Sequence, residues 1–313
     1  MEQTFTAAGN PIVRHVFTSD PCALVHDRRL YVYTGRDEAP IGHDGYVLTE
    51  WLCFSTPDLL HWTAHGVPLR PTDFAWATGD AYASKVVEHG GRFYWYAPVT
   101  HATIPGKAIG VAVSDRPTGP FRDARGSALI TNDMTSAAGS VRADDKDDID
   151  PTVLIDDDGQ THLFWGNGRC YHARLAPSLV DLDGPIAVVD LPDFAEGAHI
   201  HKRDGWYYLA YGYQNPEKVG YAMSRDVDGP WEFQGVLNDV VENCETNRAA
   251  IVDFRGKSYF LYHNGALPTG GNHRRSICMD ELHYNPDGTL RRVVMTAAGV
   301  AAVAAADERG GPP

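Results

Sequence analysis

Short runs of β-branched and aromatic residues alternate with polar positions along most of this 313-residue chain, and turn residues separate them at close intervals. The stretch 150–166 shows the plan. The acid–proline pair Asp150-Pro151 opens it, an apolar run follows at 153–155, and the turn Asp156-Asp157-Asp158-Gly159 leads into a second run at 162–165. Two such runs joined by a glycine-containing turn predict a β-hairpin, with a carboxylate just ahead of its first strand. The same plan recurs. Strands are expected at 22–26, 30–34 and 47–55 behind Asp20-Pro21, and at 83–88, 92–98 and 108–114 behind Asp80. A third strand at 170–175 extends the unit of Asp150. Strands at 198–202, 206–212 and 219–224 follow Glu196, and strands at 249–254, 258–263 and 275–282 follow Asn247.

A further short segment closes most units, so each carries about four strands. Repetition with a period of roughly 45–60 residues signals a radial or stacked array, and four strands per unit point to an all-β fold, a five-bladed β-propeller. No helical periodicity of any length competes with it. A pair of β-sandwiches would not explain why the acid-plus-hairpin unit recurs. Residues 1–16 read as a lead-in, and the blades are expected across 17–295. The stretch 296–313, Ala-rich and ending in Gly-Gly-Pro-Pro, reads as a tail with one helical turn or none. No linker divides the chain, so a single domain over 1–313 is expected.

Composition and charge narrow the partners. At 43% hydrophobic and 22% charged the chain is an ordinary folded globular protein. Its net charge of −14 argues against nucleic acid and for a neutral or cationic ligand. No apolar run approaches the roughly 20 residues of a membrane helix. Residues 1–10 lack the basic and apolar regions of a signal peptide, which gives a cytoplasmic expectation. The five scattered cysteines, with no paired spacing, read as free buried thiols.

In a propeller the first strand of each blade lines the central axis. Residues at the start of those strands meet at one end of it, which brings Asp20, Asp80, Asp150, Glu196 and Asn247 into one site. Carboxylates that share a pocket repel, so one keeps its proton near neutrality while another, solvated or cation-paired, stays ionised. That division is the equipment of glycoside hydrolysis. Aromatic rings suit the flat faces of sugars, and Trp76, Trp95, Trp165 and Tyr213 lie near expected strand ends or loops.

Ser19-Asp20-Pro21, Asp148-Ile149-Asp150-Pro151 and Ala195-Glu196-Gly197, in that order and in step with the blade repeat, resemble glycoside hydrolase family 43. The resemblance extends from about residue 10 to 300. It implies a five-bladed propeller with β-xylosidase or α-L-arabinofuranosidase activity that inverts configuration. Asp20 matches the general base, Glu196 the general acid, and Asp150 the carboxylate that tunes and orients the acid. His263 resembles an axial histidine beside a central calcium ion or water cluster; no other cofactor is implied. Arg274 resembles an arginine that grips sugar hydroxyls, whereas Arg275 faces the other way if its strand is regular. One departure stands at Trp76-Ala77-Thr78-Gly79-Asp80, where the family's usual Trp-Ala-Pro-Asp is interrupted, so a substrate role for Asp80 is less secure.

Other signals have plain readings. The acidic run 144–148 lacks the glycine and distal glutamate of an EF-hand and reads as a solvated loop. His199 and His201 share one face of a strand but lack the further ligands of a zinc site. The expectation is an exo-acting hydrolase of xylo- or arabino-oligosaccharides, β-xylosidase favoured, with oligomers allowed. A retaining fructosidase is disfavoured by the Phe17-Thr18-Ser19-Asp20-Pro21 context, and a non-catalytic sugar-binding propeller is the remaining alternative.

Overall fold

The structure is a computed structural model and describes residues 2–137 and 146–304. Five antiparallel sheets are arranged as the blades of a propeller. The first strands of the blades are Thr18–His26, Lys85–His89, Thr152–Ile155, His199–Arg203 and Ala250–Phe254. Each touches the first strand of the next blade, and the fifth touches the first, so these strands form the inner ring. In blade three Thr152–Ile155 pairs with Thr161–Trp165, then Cys170–Leu175 and Ala187–Val189 follow outward. The turn between the first pair is closed by Asp156 N–H on Gln160 O and Gly159 N–H on Asp156 O, both 2.9 Å. Gly159 supplies the positive φ of 85° that this turn requires.

Every blade is flanked by two others, so each sheet has both faces covered and its middle strands are buried nearly throughout. Five hydrophobic clusters result, one at each seam. Between blades one and two, Trp95 is fully buried with its ring 4.9 Å from Tyr33 and 5.8 Å from Trp51. Truncating a large aromatic packed in this way costs about 3–5 kcal/mol. All five cysteines are free and buried. Among the described residues, no helix is long and apolar enough to cross a membrane.

The chain ends depart from the sequence reading. Within the lead-in, Gln3–Thr6 adds an outermost strand to blade one, against His61–Leu69. The following residues lace blade one to blade five. Ile12 N–H donates to Ile277 O at 2.8 Å, and Thr18 N–H to Arg275 O at 2.9 Å. Asn10 Oδ1 accepts from Met279 N–H at 2.9 Å, while its Nδ2 donates to Met279 O at 3.1 Å and Thr296 O at 2.8 Å. Residues 296–304 form no helical turn; they run across this seam, with Val303 N–H on Asp58 O at 2.9 Å. The rest of the tail lies outside the described residues. Blade five has three strands, Ala250–Phe254, Lys257–Asn264 and Ser276–Leu282.

Candidate active site

Asp20, Asp80 and Asp150, each near the start of the inner strand of its blade, adopt left-handed backbone with φ of 52°, 65° and 59°. Non-glycine residues are uncommon there, and such strain persists only where the surroundings over-determine it. The repeated kink ends regular pairing and turns the carboxyl off the strand. In blade one it falls at the register shift between Ser19 and Cys22. Blade four reaches the same place with Glu196, followed by Gly197 at φ 68°, whose N–H donates to Asp150 Oδ2 at 3.0 Å.

Asp20, Asp150 and Glu196 line one cavity of about 650 Å³, open at its mouth. Glu217, Asn167, Tyr46, Tyr82, Lys146, Thr246 and Arg275 also line it. The cations divide the carboxyls. Arg275 donates to Asp20 through both terminal nitrogens, at 3.3 and 3.2 Å. It is itself fixed by Asp37, whose Oδ2 accepts from the Arg275 Nε at 2.7 Å and the Arg275 backbone N–H at 3.0 Å. Burial pushes the Asp20 carboxyl up, but Arg275 and the more distant Arg248 outweigh it, so Asp20 ends below its ordinary value. Arg248 pairs with Asp150 Oδ2 at 3.1 Å. Burial dominates at Asp150 over the opposing pull of Arg248, and its carboxyl is pushed up to about 6. Glu196 is held well above the usual carboxylate range by burial first, then by the charges of Glu217, Asp150 and Asp20. Its Oε2 accepts from Asn167 Nδ2 at 2.8 Å.

Several expected residues lie elsewhere. Arg274 is not in the cavity: its Nε donates to Thr269 O at 2.9 Å and its guanidinium sits 4.2 Å over the Phe17 ring. Arg275 occupies the site instead. The regular strand begins only at Ser276, so alternation counted back from the strand gives the wrong parity. Trp165 is core: it is fully buried and donates Nε1–H to Asp148 Oδ1 at 2.9 Å. Trp76 binds Asp123 at 3.0 Å and packs on Phe74, and Tyr213 stacks on Phe233 at 5.0 Å. The aromatic walls are Tyr46 and Tyr82, with ring centroids 6.2 Å apart at 84°. Asp80 does not line the cavity; it accepts from Lys107 Nζ and Thr100 Oγ1, both at 2.6 Å. Of the acidic run, Asp144 and Asp145 lie outside the described residues, and Asp147 and Asp148 are buried rather than solvated.

His263 was the expected calcium ligand, and its surroundings do not fit that role. Its Nδ1 accepts the Asp20 backbone N–H at 3.2 Å, which fixes the proton on Nε2, and that N–H meets Thr246 O at 3.1 Å. Both nitrogens are used, leaving no lone pair for a cation. Burial, then Arg275, holds the ring neutral by lowering it to about 3. Among the described residues, no group of three or more His, Cys, Asp or Glu side chains is placed to hold a metal ion.

Arg248, Glu217, Asn167, Tyr46 and Tyr82 were not foreseen. Arg248 is the neighbour of Asn247, just ahead of the fifth inner strand, and the blade repeat would have flagged it. Glu217 follows a proline in a loop, and nothing in the periodicity marks it.

Residues 8–290 match the sequence profile of Glycosyl hydrolases family 43. The arabinoxylan arabinofuranohydrolase of Bacillus subtilis (strain 168) is 26% identical over 93% of this chain, which spans 65% of that protein's length. A xylosidase/arabinosidase of Bacteroides ovatus is 28% identical, covering 88% of this chain and 94% of that one. Among solved structures, a family 43 β-xylosidase/α-arabinofuranosidase from a compost microbial metagenome, in complex with xylotriose and in a calcium-free form, superimposes with a TM-score of 0.80. It is 27% identical, over 93% of this chain and 98% of that one.

Proposed function

The chain belongs to Glycosyl hydrolases family 43, and on that premise we propose that it is an inverting, exo-acting glycosidase that releases a terminal xylose or arabinose from short oligosaccharides. One observation carries the reading. Two carboxyls of one cavity are driven in opposite directions, Asp20 below its ordinary value and Glu196 well above it. Such a split assigns a base and an acid.

Glu196 gives its proton to the glycosidic oxygen as the bond to the sugar C1 breaks. Asp20 takes a proton from a water that forms the new C–O bond on the opposite face. In inverting enzymes the two carboxyls stand about 6.5–9.5 Å apart to leave room for that water. Arg275 and the Asp20 backbone contact to His263 fix the base in place. Asp150 holds Gly197 by its N–H, and thereby the backbone next to Glu196. Tyr46 and Tyr82 offer faces for the sugar ring.

β-Xylosidase is the first choice. The name of the Bacillus subtilis relative favours α-L-arabinofuranosidase as the second. Hydrolysis rates on aryl β-xyloside, aryl α-arabinofuranoside and aryl β-galactoside decide between them, and NMR of the first-formed anomer tests the mechanism. Retention of configuration, or no cleavage of either pentoside, would sink the proposal.

A further inference from the structure

Glu217 takes no part in the steps above, yet it is a buried carboxyl on the wall of the same cavity. It stands just before the strand Lys218–Ser224, and its N–H is tied to Glu245 O at 2.8 Å. Its Oε2 accepts the Asn247 N–H at 3.0 Å. The carboxyl rests on Gly212: a Cβ there would lie 3.1 Å from Glu217 Oε2 and 3.1 Å from Glu196 O. Gly212 N–H also donates to Glu196 O at 2.8 Å. A residue with no side chain thus lets the Glu217 carboxyl come up against the backbone of Glu196, whose own carboxyl lines the same cavity.

We propose that Glu217 is a positioning residue for Glu196: seated on Gly212 in the wall of the same cavity, its carboxyl, once charged, favours the protonated form of Glu196. The assignment rests on Glu196 being the acid. The groups facing the pair are Asp20, Asp150, Arg248, Arg275, Lys146 and the phenols Tyr46 and Tyr82. The two buried guanidiniums already face three carboxylates, Arg275 between Asp20 and Asp37 and Arg248 on Asp150. The remaining two carboxyls share what is left, so ionising one blocks the other. Burial, together with Asp150 and Asp20, raises Glu217 to about 8, and burial with the charge of Glu217 holds Glu196 well above the usual carboxylate range. Once Glu217 has released its proton, its charge secures the proton on Glu196.

Glu217→Gln keeps the size of the side chain and an oxygen for Asn247 N–H, but it cannot acquire charge. The alkaline limb of kcat/KM should then move down by about one pH unit or more, with the acid limb in place. A merely structural residue would lower kcat or Tm at every pH and leave the limb where it was; that result overturns the proposal. NMR of the δ-13C-glutamate-labelled chain gives a second reading that needs no substrate. A glutamate carboxyl should titrate above pH 7 in the wild type and in Glu196→Gln. No such carboxyl in Glu196→Gln also overturns the proposal, even if Glu217→Gln fails to fold. If the titration is present but no glycoside is cleaved, the proton sharing stands and the assignment as a hydrolase falls.

Discussion

Replacing Arg275 by Met removes the cation that holds Asp20, the proposed base. The guanidinium nitrogens lie 3.3 and 3.2 Å from the two Asp20 oxygens, and Nε lies 2.7 Å from Asp37. At 3.2 Å and an effective dielectric near 20, one such pair is worth about 5 kcal/mol, or about 4 pKa units. Arg248 remains, and water enters the vacated space, so about half of this should survive as an upward shift of roughly two units at Asp20. Asp20 works as a base only when ionised. The acid limb of kcat/KM, measured from about pH 4 to about pH 9, should therefore rise by about two units. Stability should change sign in its pH dependence. In the wild type the Asp20 value is depressed in the folded state. Its contribution is complete above the unfolded value of about 3.9 and is lost as pH falls through the folded value. In the Met variant the folded value is raised, so the contribution is complete below about pH 4 and is lost as pH rises through the folded value. The cost at neutrality is about 3–5 kcal/mol, because Asp20 and Asp37 are left without their partner. Arg275→Lys, which keeps a charge but not the two-pronged contact, should shift the acid limb less. An acid limb that stays in place in both variants would refute the assignment of Arg275 as the clamp on the base.

Three further outcomes follow from the same geometry. Glu196→Gln should lower kcat on xylobiose by about 10²–10⁴-fold, with a smaller loss on a nitrophenyl glycoside whose leaving group needs little protonation; equal losses on both would remove Glu196 as the acid. Exhaustive chelation should leave Tm and kcat unchanged, since His263 spends both nitrogens on Asp20 and Thr246; a fall in either that calcium restores would contradict that reading. Asn10→Ala deletes the side chain that bridges Met279 and Thr296 across the seam of blades one and five. It should lower stability to denaturant by about 2 kcal/mol, without changing KM.

The fold was legible because the hairpin plan repeats. A hairpin with a polar or acidic residue ahead of it recurs in step, and the closed inner ring follows from five such units. Asp20, Asp150 and Glu196 could be placed for the same reason, since the repeat assigns them equivalent positions. Period-two reasoning failed where the strand is not regular. Arg274 and Arg275 precede the first paired residue of their strand, so parity could not choose between them. Trp76, Trp165 and Tyr213 were offered as sugar platforms because aromatic residues at strand ends look alike in sequence. Which ring becomes wall and which becomes core depends on packing partners that the period does not encode, such as Asp123 for Trp76, Asp148 for Trp165 and Phe233 for Tyr213. Glu217 shows the same limit, for its proximity to Glu196 depends on the bare backbone of Gly212 rather than on any pattern.

The lacing of the two chain ends across one seam has a consequence for synthesis. A ribosome makes Asp20 well before Arg275, which lies 255 residues further on. His263, which anchors the Asp20 backbone, also arrives late. A nascent chain of four blades would carry Glu196 and Asp150 but an unclamped base. Competence to cleave would then be gained in the same event that brings blade five against blade one. The recovery of activity during refolding should accordingly lag behind the formation of β structure, and it would serve as a clock for the closing of the ring.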